Sequence, residues 1–300
     1  MTKKNLWIGL TLGVLGALFF SGKAIIIKLA YRHGADATTL IALRMLVALP
    51  FFAVTAWYTR RGEPGQPSPW RKGDAWRIIA LGLLGYYAAS YLDFLGLKYI
   101  SAGLERVILY LSPTVVLLLS VIYLRKKIGA VEYLALAVSY CGVLFVFWHD
   151  VSLASDNTAL GAALVFAAAI CYAVYLTAGG EMVRRLGSIR MTSWASLVSC
   201  IACICQGLLV DANALLTQQL PVYGLSVVNG VFCTVLPVFM TMMAVERVGS
   251  TVASQTSMLG PISTVFFAAW FLQEPITAYQ MIGTVTVVAG VFILTMKKTG

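Results

Sequence analysis

Ten apolar runs, each close to the length of a membrane span, follow one another with little between them. They cover roughly residues 6–29, 39–58, 78–97, 103–124, 129–148, 158–180, 191–210, 222–243, 251–272 and 277–296. A transmembrane helix takes ~20 apolar residues, so ten use ~200 of the 300 positions and leave ~100 for nine links and two tails. No soluble domain fits in what is left. Composition agrees, because only 11 % of the residues are charged, against roughly 25 % in soluble domains. The expected fold is an all-α membrane protein of ten transmembrane helices.

Charge sets the orientation. The first run follows Lys3 and Lys4 as a signal peptide would, but it is long and carries Lys23, so a retained helix is expected. With the N-terminus inside, sixteen of the 22 Lys and Arg residues fall on the inner side, three outside and three within spans. Positive residues favour the cytoplasmic side, which places both termini and the Pro-rich 60–77 linker in the cytoplasm of a bacterial inner membrane. The net charge of +10 therefore points to membrane topology and not to nucleic acid. All six cysteines lie in apolar runs, where small packing residues are expected rather than a disulfide framework or metal site.

The chain repeats itself. A shift of 148 positions superposes Leu111, Pro113, Leu124, Ile128, Ala130, Gly142 and Val143 on Leu259, Pro261, Leu272, Ile276, Ala278, Gly290 and Val291. That shift spans five helices, an odd number, so the copies face opposite ways. The basic turn Arg125-Lys126-Lys127 accordingly becomes Gln273-Glu274-Pro275. Two inverted five-helix repeats are expected, over 1–150 and 151–300. Inverted repeats characterise secondary transporters, with the substrate site between the halves near mid-membrane.

The chain resembles the drug/metabolite transporters built from two EamA-type repeats. The matching residues are Arg44 in LIALRMLVALPF, the stretch GLKYISAGLERVILYLSPTVV, Ala244–Gly249, the MLGPIS turn, FLQEP and the closing GTVTVVAGVFIL. Three positions depart: Lys126 replaces the usual acidic residue, Phe20 a common Trp, and Lys23 a small polar side chain. The resemblance implies transport of a small molecule, and export as its direction.

Five ionisable side chains sit inside spans: Lys23, Arg44, Asp93, Glu105 and Arg106. Each costs ~2.5–3.5 kcal/mol unpaired at a helix centre, so they must pair or face water. All five fall in the outer half of the bilayer, where mutual pairing is geometrically open. Arg44 and Arg106 stay charged and cannot relay protons, so a structural ion network is their expected role. Asp93 and Glu105 are the candidates for proton coupling. Glu105 and Arg106 are adjacent, ~100° apart on a helix, and are not expected to share a groove.

A second set is polar or aromatic and deep. Tyr87 and Tyr91 share a helix face, as do Tyr172 and Tyr175. With Lys23, Tyr110, Asn229 and Gln255, the tyrosines Tyr87, Tyr91 and Tyr175 are the expected substrate-binding residues. Pro113, Pro237 and Pro261 break helix bonding and suit bends around a cavity. No P-loop, nucleophile elbow or HExxH motif is present. No enzyme activity, cofactor or metal is expected. The expected partners are a small-molecule substrate and the lipid bilayer, without nucleic acid, and a homodimer is left open. The expected function is export of a small amino-acid-like or carboxylated metabolite by alternating access, with proton coupling. Alternatives are cationic drug efflux, metabolite uptake, a structural membrane subunit or an intramembrane enzyme.

Overall fold

A computed structural model describes residues 3–60, 70–109, 111–124, 130–153, 157–256, 259–273 and 276–296. Among these residues every one of the ten apolar runs is helical. The helices are α1 (Lys3–Arg32), α2 (Ala37–Tyr58), α3 (Asp74–Leu97), α4 (Ala102–Leu109 and Ser112–Leu124) and α5 (Ala130–Leu153) in the first half. In the second half they are α6 (Thr158–Leu186), α7 (Ser188–Leu216), α8 (Leu220–Gly249), α9 (Leu259–Phe267 and Ala268–Leu272) and α10 (Ala278–Met296). Seven segments of the described residues, within α1 to α4 and α6 to α8, are long and apolar enough to cross a membrane.

The halves pack on each other in a pattern that repeats. Helix α2 lies along α7 and α5 along α10, each beside its own counterpart. Helix α1 packs on α8 and α9, and α6 packs on α3 and α4 in the same relation. Two of the close crossings are made by glycines at matching positions. A methyl group on Gly82 of α3 would strike the Ala195 carbonyl of α7. On Gly230 of α8 it would lie 2.8 Å from Val47 Cβ and 2.9 Å from the Arg44 carbonyl of α2. Gly82 and Gly230 are 148 residues apart, and so are Val47 and Ala195.

Directly after each glycine the helix widens to π geometry, over Leu83–Ala88 in α3 and Val231–Val235 in α8. The N–H of Ala89 reaches back five residues to Leu84, and that of Leu236 to Val231. In α8 the cause lies in the next residue, Pro237, which has no N–H to return an ordinary helix bond. Pro113 stands in the first turn of the second segment of α4, where its missing N–H costs no helix bond.

Two turns at one end are extremely short. Gly187 alone joins α6 to α7, and Gly249 marks the turn from α8 to α9, at φ 90°, ψ 155° and φ 82°, ψ 159°. That region of backbone space is open essentially to glycine only. The same end carries the ties between basic loops. Arg185 pairs with Asp74, Arg190 donates to the Arg60 carbonyl at 3.0 Å, and Ser188 bonds Glu246 at 2.5 Å. At the opposite end Arg32 donates to the Leu272 carbonyl at 2.6 Å, and His33 meets Gln219 at 3.1 Å. The residues that the charge count assigns to one side of the membrane thus meet at one end of the bundle.

Candidate functional site

Nine residues before the end of α1, a helix rise of ~13 Å, Lys23 is 9 % exposed and points at α3. Its Nζ lies 2.5 Å from Asp93 Oδ2 and 4.0 Å from Glu105 Oε1 on α4. Glu105 is fully enclosed and is held from its other side by Arg106, Nε to Oε2 at 3.0 Å. Arg106 also donates to the Phe20 carbonyl of α1 at 2.9 Å. Tyr31 completes the seam by donating to the Phe94 carbonyl of α3 at 2.6 Å. Two cations and two carboxylates therefore form one buried, formally neutral cluster joining α1, α3 and α4. The pairing expected from their common depth is present.

One expectation is corrected. Glu105 and Arg106 do share an environment, although consecutive positions diverge by ~100°. The Arg side chain is long enough to fold back over its neighbour, and burial leaves it no water to seek. Lys23 is likewise engaged by Asp93, which changes what it can offer a ligand.

Arg44 stands apart from this cluster. It is 3 % exposed, lies 4.7 Å over the Phe94 ring, and its Nε and Nη2 have no hydrogen-bond partner among the described residues. Within electrostatic reach of the guanidinium are Asp93, Cys200 and Cys203 of α7, and Cys233 in the π segment of α8. Cys200 Sγ touches Met45 Sδ at 3.7 Å, so these cysteines pack as small, soft core residues. Asn229 is buried beside Gly230, which rests on the Arg44 carbonyl, and its Oδ1 is also without a partner among the described residues.

The aromatic group centres on Tyr175 of α6. Its ring meets Tyr86 edge-on at 4.9 Å and stacks with Tyr172 at 6.3 Å. Tyr87 and Tyr91 are half-buried and pack against the main core. Tyr86 was missed by sequence reasoning, although it is the α3 tyrosine that touches Tyr175. Tyr110 lies outside the described residues, as does the side chain of Gln255.

The sequence profile described as the EamA-like transporter family matches residues 7–148 and again 159–296. The chain belongs to the EamA-like transporter family. Two matches to one profile, with the mirrored packing of the halves, account for nearly the whole chain of this EamA-like transporter as a multi-pass membrane protein. It is 30 % identical over 275 residues to the uncharacterized transporter YcbK of Bacillus subtilis, covering 90 % of this chain and 87 % of that one. It is 27 % identical over 257 residues to an uncharacterized transporter of Archaeoglobus fulgidus, covering 86 % and 88 %. A crystal structure 14 % identical in sequence superposes with a TM-score of 0.65 over 96 % of both chains, which shows a common fold. Transport, and not catalysis, is the function to which family and relatives point.

Proposed function

We propose that this EamA-like transporter is a proton-coupled exporter of a small amino-acid-like or carboxylated metabolite, working by alternating access in a bacterial inner membrane. The observation that carries the reading is the buried Lys23–Asp93–Glu105–Arg106 cluster. A salt bridge between α1 and α3 is a two-position device. Protonation of Asp93 removes the nearer charge that holds Lys23 and loosens α1 from α3, leaving Glu105 at 4.0 Å and the Tyr31 bond to Phe94 in place. Deprotonation closes the pair again. Glu105 keeps Arg106 whichever state Asp93 is in, so Asp93 is the carrier of the proton and Glu105 its fixed neighbour. The direction follows the family, and both termini stand in the cytoplasm because basic residues gather on that side. A substrate that combines an amine and a carboxylate matches the amphoteric core.

Purified protein in liposomes tests this directly, with flux measured under an imposed pH gradient and as substrate-for-substrate exchange. Asp93→Asn should lose gradient-driven flux and keep exchange, because exchange moves no net proton. Full gradient-driven flux in Asp93→Asn removes the coupling role from this residue. A cysteine probe at Asp156 should be labelled from outside the cell and one at Gly65 should not; the reverse would invert the orientation.

A further inference from the structure

The cluster that joins α1, α3 and α4 balances its own charges, and three of the four buried atoms it leaves without a hydrogen bond are carboxylate oxygens, so it is a poor place to receive an anion. The Arg44 guanidinium is better suited. It is buried between the halves, its face lies on Phe94, and Nε and Nη2 remain without a hydrogen-bond partner among the described residues. Those two nitrogens form one edge of the guanidinium fork, the edge that binds a carboxylate with two parallel hydrogen bonds. Burying a cation without a counter-charge is costly, and the nearby Asp93 is already taken by Lys23 at 2.5 Å.

The surroundings point the same way. Arg44 lies within electrostatic reach of Tyr86 in the π segment of α3 and of Cys233 in the π segment of α8. The site thus falls where both helices depart from regular geometry, and such departures are frequent at functional sites. The Tyr86 hydroxyl, beside Tyr175, and Ser199 Oγ of α7, beside Cys203, are buried and have no further partner among the described residues. Ser199 neighbours Cys203, which in turn neighbours Arg44 and the half-buried Tyr87. Arg44 of α2 thus offers two unpartnered N–H groups, with Tyr86 of α3 and Cys203 of α7 in its surroundings and Ser199 beside Cys203.

We infer that Arg44, and not Lys23, is the anchor for a carboxylate on the transported molecule, with the Tyr86 and Ser199 hydroxyls completing its recognition. This rests on the transporter reading above and narrows its substrate class to carboxylates. The Phe94 stack positions the guanidinium, as an aromatic face does for a cation.

The test compares metabolites in the medium of cells overproducing the wild-type protein, Arg44→Gln, Arg44→Lys, or nothing. Metabolites that change with the wild-type protein should carry a carboxylate. They should revert toward the empty-cell level in Arg44→Gln, while Arg44→Lys, which keeps the charge and loses the fork, falls between. For the strongest hit, purified wild-type protein should show a rise in melting temperature with the acid and none with its primary amide. Binding of the acid should weaken roughly tenfold or more in Arg44→Gln. If Arg44→Gln does not accumulate folded, Tyr86→Phe combined with Ser199→Ala takes its place and should weaken the acid several-fold, as loss of hydrogen bonds to a charged group does. The inference is overturned if the protein-dependent metabolites lack a carboxylate, if acid and amide bind alike, or if the folded variants bind the acid like wild type. A medium that no overproduction changes overturns the transporter reading itself, and the inference with it.

Discussion

The two halves share a backbone plan and differ in chemistry. Lys23, Arg44, Asp93, Glu105 and Arg106 of the first half stand where the second has Cys171, Thr192, Thr241, Ala253 and Ser254, each 148 residues on. The glycine crossings and π segments recur in both. What the fold needs is therefore duplicated, and what is charged is not. The comparison separates frame from function: a residue that recurs holds helices together, and a charge buried within a span without a counterpart, unlike Asp74 and Arg190 at the helix ends, calls for another explanation than packing.

The sharpest way to break that division is to strand a charge. Asp93→Asn leaves Lys23 only the more distant Glu105, at 4.0 Å, and should cost ~1.5–3 kcal/mol, read as a fall in stability in detergent denaturation. Next come the recurrent glycines. Gly82→Ala drives a methyl into backbone, and overpacking of this kind costs ~1–3 kcal/mol. Gly230→Ala meets a side chain and a carbonyl at 2.8 and 2.9 Å and should cost less. Equal and negligible losses at both would remove the claim that these crossings set the frame. Arg32→Gln removes an exposed tie between the halves at one end and should cost at most about 1 kcal/mol. The smallest change in stability should come from Lys23→Cys with Asp93→Thr, which imports the residues of the second half. Removing both partners leaves no orphan charge, so the melting temperature should stay near that of wild type while proton-driven flux disappears. A double variant that is as unstable as Asp93→Asn would show that the pair is structural.

Much of this was legible in the residues. Apolar length located the spans, because lipid leaves the backbone no other way to satisfy its hydrogen bonds. Common depth brought Lys23, Asp93 and Glu105 together, because unpaired charge has nowhere to go. Partner choice was not legible. Arg106 turns back to Glu105, and that depends on side-chain reach and not on helix angle. Tyr86 was missed for a related reason. Counting in fours from Tyr87 to Tyr91 assumes a continuous α-helix, and Leu83–Ala88 is not one. A local widening has no signature in hydrophobic period, so faces assigned across it drift.

The widened turn in α3 has a consequence for what this chain can tolerate. It accommodates one residue more than an α turn would, and every side chain beyond it is placed by that extra count. Removing any single residue between 83 and 88 would let the helix close up to ordinary pitch and leave the remainder of α3 at nearly its present angle, because the wide turn holds one residue in excess. Asp93 would then still stand opposite Lys23, with the widened turn gone. The ion pair is written into the length of α3 as much as into its composition. A one-residue deletion there should keep the pair, whereas one residue added in the regular stretch between Ala88 and Asp93 should turn Asp93 by ~100° and silence the protein.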